Sequence, residues 1–314
     1  MMKPIRDAVL ILILLLVPAV AAADVQQPQD VPEVERTQDV IYGRKFGVAL
    51  TLDVFKPARP NGKGIIFVVS GGWYSAPGGA GMAARFQPTL DRGYTVFAVV
   101  HGSQPKFHIP EIVADMHRAV RFVRHNAKKW EIDSNYIGMT GGSAGGHLTL
   151  MIATQGGKGD PKAADPVDRE SSAIQAAVAF FPPTDFLNYG KPGVDAVGVG
   201  ILKDFHGAFG PAVYTPEQRK ILGPAVSPVT FVHADMPPTL LIHGDADQLV
   251  PVQQSQLFVE KAQAAKAPAV KLVEKAGKAH GWPDMKPDLE ATAAWFDEHL
   301  EKAKTKAGNE PPEK

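Results

Sequence analysis

The sequence contains no cysteine, which excludes a disulfide scaffold, a thiol nucleophile and a thiolate-ligated metal site. It also lacks an excess of either charge. With 33 basic and 33 acidic side chains, and no dense Lys/Arg cluster, it offers no electrostatic footprint for nucleic acid or an anionic membrane surface. Neutral or weakly polar small-molecule partners are the natural expectation. Its histidines show no His-Glu-x-x-His spacing, so no metal site is expected. There are no internal repeats.

What is present begins with an address-like segment. Lys3 and Arg6 precede the apolar run Ala8 to Val17, Pro18 breaks it, and Ala21-Ala22-Ala23 supplies small residues before Asp24. This order is that of a secretory signal peptide cleaved near Ala23. The run is shorter than the ~20 residues a membrane-spanning helix needs. The expectation is an exported chain, periplasmic or secreted, with no membrane contact in its mature form. Residues 24–37 are polar and proline-bearing and read as a flexible leader. Residues 38–302 read as one catalytic domain and residues 303–314 as a disordered tail.

Within the domain, β-branched runs alternate with helical patterns. Asp39–Tyr42 and Val48–Phe55, with turn residues 43–47 between them, predict an antiparallel hairpin at a sheet edge. Gly64–Ser70 and Tyr94–Val100 are nearly continuous apolar runs, as strands buried on both faces require. Further strands are expected at Tyr136–Thr140, Ile174–Phe181, Thr239–His243 and Ala269–Val273. Helices are expected near 80–92, over Pro110–Trp130 with one apolar face, after residue 143 to about Thr154, and over 251–265 and 287–302. The alternation predicts a mostly parallel central sheet with helices on both faces. Leu187–Met236 is too long for an ordinary strand connection and reads as a lid-like insertion carrying Phe205, Phe209 and Tyr214.

Four motifs carry chemistry. Gly141-Gly142-Ser143-Ala144-Gly145-Gly146 lies between a strand and a helix, the required context of a G-x-S-x-G nucleophile elbow. Small flanking residues suit a sharp turn in which larger ones would strike the neighbouring strands. His243-Gly244-Asp245-Ala246-Asp247 follows a late strand; Asp247 reads as the acid that orients a base, and Asp245 as a loop-holding carboxylate. His280, flanked by Gly281 on a loop before the last helix, reads as the base. The chain order Ser143, Asp247, His280 is that of α/β-hydrolases. Ser70-Gly71-Gly72-Trp73 ends a strand, so that backbone N–H groups of Gly71, Gly72 or Trp73, with that of Ala144, are candidates for an oxyanion hole. Trp73, Tyr74 and Trp282 flank these loops as candidate substrate contacts. His101 and His108 fall near a strand's carboxyl end, where they could border the pocket, whereas His147 reads as packed beside the elbow helix.

The stretch IPEIVADMHRAVRFVRHNAKKWEIDSNYIGMTGGSAGGHLTLM, together with HGDADQLVP and AHGW, resembles the α/β-hydrolase esterase/lipase group over roughly residues 40 to 300. Its nearest branches are the hormone-sensitive-lipase-like and acetylxylan- or feruloyl-esterase-like ones. The resemblance implies the α/β-hydrolase fold and hydrolysis of carboxylic esters through an acyl-enzyme, without a cofactor. One departure stands out. The group opens its oxyanion motif with histidine, where this chain has Ser70 or Val69. The expected substrate is a small-molecule or saccharide-linked ester. A peptidase or amidase of prolyl-oligopeptidase or arylformamidase type could use the same triad. A catalytically dead binding protein would be expected to have lost one of its members.

Overall fold

A computed structural model describes residues 34–78 and 80–307. The β-branched and aromatic runs become strands β1 (Glu35–Lys45), β2 (Val48–Lys56), β3 (Gly64–Val69), β4 (Thr95–Val100), β5 (Ile137–Gly142), β6 (Ala176–Phe180), β7 (Thr239–Gly244) and β8 (Val270–Lys275). Among the described residues these form one eight-stranded sheet, ordered β1-β2-β4-β3-β5-β6-β7-β8. β2 pairs antiparallel with both of its neighbours, and the other pairings are parallel. The helices are α1 (Gln87–Leu90), α2 (Ile109–His125), α3 (Ala144–Gln155), α4 (Pro216–Ala225), α5 (Gln253–Ala264) and α6 (Lys286–Ala307).

Side chains alternate across the sheet and build a core on each face. Ile66 and Val68 of β3 pack with Ile112 and Met116 of α2 and Leu148 of α3. Their neighbour Ile65 packs the other way, with Phe180, Phe296 and Leu300. The apolar positions of α2, from Ile109 through Ile112, Met116, Ala119 and Val120 to Val123, are all buried. They recur every three or four residues, which puts them on one stripe. The Glu111 carboxylate accepts the His108 N–H at 3.0 Å, satisfying one of the donors that a helix start leaves open.

Several boundaries differ from those the sequence predicts. β1 begins at Glu35, so residues 35–37 belong to the sheet and not to a leader. The cause is tertiary: Arg36 pairs with Asp53 of β2 at 2.6 Å, and Glu35 registers against Lys56. The hairpin turn shrinks to Phe46-Gly47 because β1 runs to Lys45. The helix expected over 80–92 is a 3₁₀ segment, Ala80–Arg85, followed by the single turn α1. At the other end α6 continues to Ala307, so residues 303–307 extend a helix and do not form a disordered tail. The expected signal peptide, most of the leader and residues 308–314 lie outside the described residues.

β3 has β4 on one side and β5 on the other. Strand order therefore reverses there, and a crevice opens beyond the carboxyl ends of β3 and β5.

Candidate active site

Ser143 sits at that crevice, between β5 and α3, with φ 54° and ψ −122°. This left-handed backbone is costly for a residue with a Cβ. It is held by the Ser143 N–H donating to Phe180 O at 2.9 Å and by His147 N–H donating to Ser143 O at 2.9 Å. The flanking glycines have a measurable reason. A Cβ on Gly145 would come within 2.9 Å of Val68 O, and one on Gly146 within 2.8 Å of Phe180 O. The elbow is thus wedged between β3 and β6, as the small residues in the motif predict.

His280 Nε2 lies 2.8 Å from Ser143 Oγ, and its Nδ1 lies 2.6 Å from Asp247 Oδ2. The carboxylate can only accept, so Nδ1 carries the proton and Nε2 is free to take one from serine. Asp247 Oδ1 accepts the N–H groups of Leu249 and Val250, each at 2.9 Å. His243, buried at the end of β7, places Nε2 3.3 Å from Asp247 Oδ2. Burial alone would push the Asp247 carboxyl up. The hydrogen bonds from His243, His280 and Val250 outweigh it and hold the carboxyl well below the usual carboxylate range. Asp245 is exposed and accepts the Gly277 N–H at 2.6 Å. It ties two loops together, a longer reach than the local turn expected of it.

The loop after β3 corrects part of the oxyanion assignment. The Gly71 N–H donates to Tyr74 O at 3.0 Å, so Gly71 is not an open donor. The N–H groups of Gly72, Trp73 and Ala144 have no acceptor among the described residues, and of the three residues Gly72 lines the cleft. Gly72 adopts φ +54°, and a Cβ there would strike the Phe205 ring at 2.4 Å, so glycine is needed twice over. The absent histidine of the motif is replaced by a different brace. His101 Nδ1 donates to Gly102 O and its Nε2 accepts from Ser70 Oγ, both at 2.8 Å. Gln104 completes it, its side chain donating to Gly72 O and its N–H to Trp73 O. His101 is therefore a buried strut and does not border the pocket.

Trp73 is not a substrate contact. It is 2% exposed, and its Nε1 donates to His147 Nδ1 at 3.2 Å, while His147 Nε2 donates to Val226 O at 2.7 Å. Its indole needs a partner once buried, and His147 supplies it from the elbow helix. Tyr74 and Trp282 do border the cleft, the latter held by Nε1 donating to Asp288 Oδ2 at 2.9 Å. The three aromatics of the insertion part company. Phe205 faces the cleft. Phe209 is 2% exposed and wedges between Trp73 and Phe186, with ring centroids 5.5 and 5.1 Å away. Tyr214 is 79% exposed and walls nothing. The insertion is folded from short helical segments and α4, anchored by Phe209 and contributing one side chain to the cleft.

The cleft measures about 800 Å³. Several lining residues escaped the sequence reading, among them Phe67, Arg85, Phe181, Met285 and Leu289. Phe181 stacks edge-on against the His280 imidazole at 4.7 Å. Its position just past a parallel strand's carboxyl end was the one available signal.

Three imidazoles, His101 and His147 buried and His117 half-buried, give this fold a pH dependence. Burial pushes His101, His117 and His147 from the usual 6.5 down to about 4. The unfolded chain therefore binds more protons than the folded one between those values, and stability falls as pH drops through that window. Asp115, whose carboxyl burial pushes up, works in the opposite sense but is one group against three. The midpoint of thermal unfolding should be level above pH 6.5 and decline steadily toward pH 4. A level midpoint down to pH 4.5 would show that these imidazoles are not held neutral.

A doubly covered, mostly parallel sheet with a strained serine between strand and helix, and a histidine and an aspartate reaching it from later loops, defines the α/β-hydrolase fold. The family model described as BD-FAE matches residues 52–262, and the chain belongs to that family. It is 30% identical over 237 residues to the Mycobacterium tuberculosis protein named "Probable carboxylic ester hydrolase LipM", a match covering 74% of this chain and 53% of that one. The chain spans little more than half the length of the first curated relatives it matches. Among solved structures, a truncated carbohydrate esterase from gut microbiota superposes with a TM-score of 0.73 at 26% identity, over 87% of this chain and 99% of that one. Thermogutta terrifontis esterase 2 phosphoramylated by tabun gives a TM-score of 0.62 at 27% identity, over 88% and 96%.

Proposed function

We propose that this protein cleaves carboxylic ester bonds through an acyl-enzyme on Ser143. The observation that carries the reading is the chain of contacts from Ser143 Oγ to His280 Nε2 and from His280 Nδ1 to Asp247 Oδ2, at 2.8 and 2.6 Å. Ser143 Oγ attacks the ester carbonyl carbon while its proton passes to His280 Nε2. The Gly72 and Ala144 N–H groups receive the oxyanion. Collapse of the adduct expels the alcohol, which takes the proton from His280. Water then attacks the acyl-enzyme with His280 again as base, releasing the acid and restoring Ser143.

Ester cleavage is supported by the names of the first three curated relatives, and a saccharide-linked ester by the carbohydrate esterase among the structural neighbours. The segment before Asp24 supports export to a periplasmic or extracellular site. The test is turnover of 4-nitrophenyl acetate against acetyl-4-nitroanilide, with the Ser143→Ala protein as the blank. Rapid anilide cleavage with a silent ester would overturn the reading.

The divided insertion makes a prediction of its own. Phe205→Ala should shift the preferred acyl chain length among C2 to C12 4-nitrophenyl esters by widening the cleft, whereas Tyr214→Ala should leave the profile where it is. An unmoved profile in the Phe205→Ala protein would deny that side chain a role in specificity.

A further inference from the structure

The wall of the cleft between the sheet and α6 is apolar, formed by Phe67, Phe180, Met82, Met285 and Leu289. Apart from His280, Arg85 is the one side chain of the lining, among the described residues, that can carry a charge near neutrality. It stands at the end of the Ala80–Arg85 3₁₀ segment. Its guanidinium has no hydrogen bond, ion pair or aromatic partner among the described residues. Arg85 is exposed, but it borders the reaction cleft, where the next group to enter is the substrate.

A second observation points to the same end of the cleft. A small cavity of about 20 Å³ shares Phe67, Phe180, Leu289 and Arg85 with it. Thr140 of β5 opens onto that cavity. It is 7% exposed, and its Oγ1 has no hydrogen-bond partner. Buried hydroxyls are rarely left so, since the desolvation goes uncompensated. An unpaired cation and an unpaired hydroxyl thus border the same small cavity, whose apolar residues Phe67, Phe180 and Leu289 also line the cleft.

Building on the esterase reading above, we infer that the cleft selects esters that carry a carboxylate on an apolar arm. The arm lies against Phe67, Phe180 and Leu289, and the carboxylate meets the Arg85 guanidinium, whose planar fork of N–H donors matches two carboxylate oxygens. A single cation with apolar neighbours fits a monoanion; a phosphate dianion would call for a second positive group that the lining does not provide. This departs from the neutral substrate that the chain's overall charge balance implies, because a balance over the whole chain does not describe one cleft.

The test compares matched esters. Mono-4-nitrophenyl glutarate against 4-nitrophenyl butyrate places the carboxylate on the acyl side. 4-Acetoxybenzoate against its methyl ester places it on the alcohol side. In one of the two pairs, wild-type kcat/KM for the anionic member should exceed that for the neutral member by about tenfold, and the excess should shrink as salt is raised. Arg85→Gln should bring that ratio to about one, and Arg85→Glu should invert it. Arg85 is exposed, so both proteins should fold, which a thermal melt checks. Turnover of the neutral esters without charge discrimination in either pair, or a preference that survives Arg85→Gln, overturns this inference alone. No turnover of any ester by the wild-type protein overturns the esterase reading and this inference with it.

Discussion

Ester turnover by the Ser143→Ala protein is expected to fall by about 10⁶-fold, the order of loss seen when a triad nucleophile is removed, while the protein melts close to the wild-type temperature. The substitution deletes one atom, Oγ, and with it the 2.8 Å contact to His280 Nε2. It keeps the Cβ and the strained φ of 54°, so the elbow is no worse off than before. His280 is 21% exposed, so water can take the place of the lost hydroxyl and no buried group is orphaned. Any residual rate over water would come from the Gly72 and Ala144 donors and from binding in the cleft. A fluorophosphonate should add mass to the Ser143 peptide of the wild-type protein and none to the variant. Retention of more than about one part in a hundred of the wild-type rate in the variant would refute the nucleophile assignment.

Part of this site was legible in the sequence because its chemistry is written in short local motifs. The elbow needs its glycines within three residues of Ser143, and the loops bearing Asp247 and His280 each follow a recognisable strand. The α/β alternation was legible for the same reason, since buried parallel strands read as β-branched runs. What could not be read depends on contacts between distant segments. Trp73 stands beside two glycines like a substrate platform, yet its fate was decided by His147, 74 positions further on. The oxyanion-loop histidine is missing from the motif, and the replacement brace comes from His101 and Gln104, about thirty residues away. Gly71 was as good a candidate donor as Gly72 until the turn to Tyr74 engaged its N–H. Phe209 and Tyr214 looked alike in the insertion, and only packing separates a wedge from an exposed ring. Arg85 has no motif. It matters because of which cavity it borders.

The second large effect is expected at Asp247, where replacement by asparagine should lower kcat by about 10⁴-fold. The reason lies in which oxygen does what. Oδ1 accepts two backbone N–H groups, from Leu249 and Val250, so an asparagine must keep its carbonyl oxygen there. Its NH₂ then occupies the place of Oδ2 and faces two imidazoles, His280 Nδ1 at 2.6 Å and His243 Nε2 at 3.3 Å. His243 cannot yield, because its Nε2 also donates to Val250 O at 2.8 Å. His280 must therefore present an unprotonated Nδ1 to the amide and move its proton to Nε2, which can then no longer accept from Ser143. The imidazolium formed during the reaction would also lose its countercharge. Asp245→Asn should behave differently. Its exposed carboxylate serves one backbone donor, Gly277 N–H, and an amide oxygen can accept that bond equally well, so kcat should change by less than about threefold. Both proteins should be assayed on 4-nitrophenyl acetate and melted in parallel, so that a loss of rate is not mistaken for a loss of fold. If Asp245→Asn abolished turnover in a folded protein while Asp247→Asn retained it, the orienting acid would have to be reassigned to Asp245.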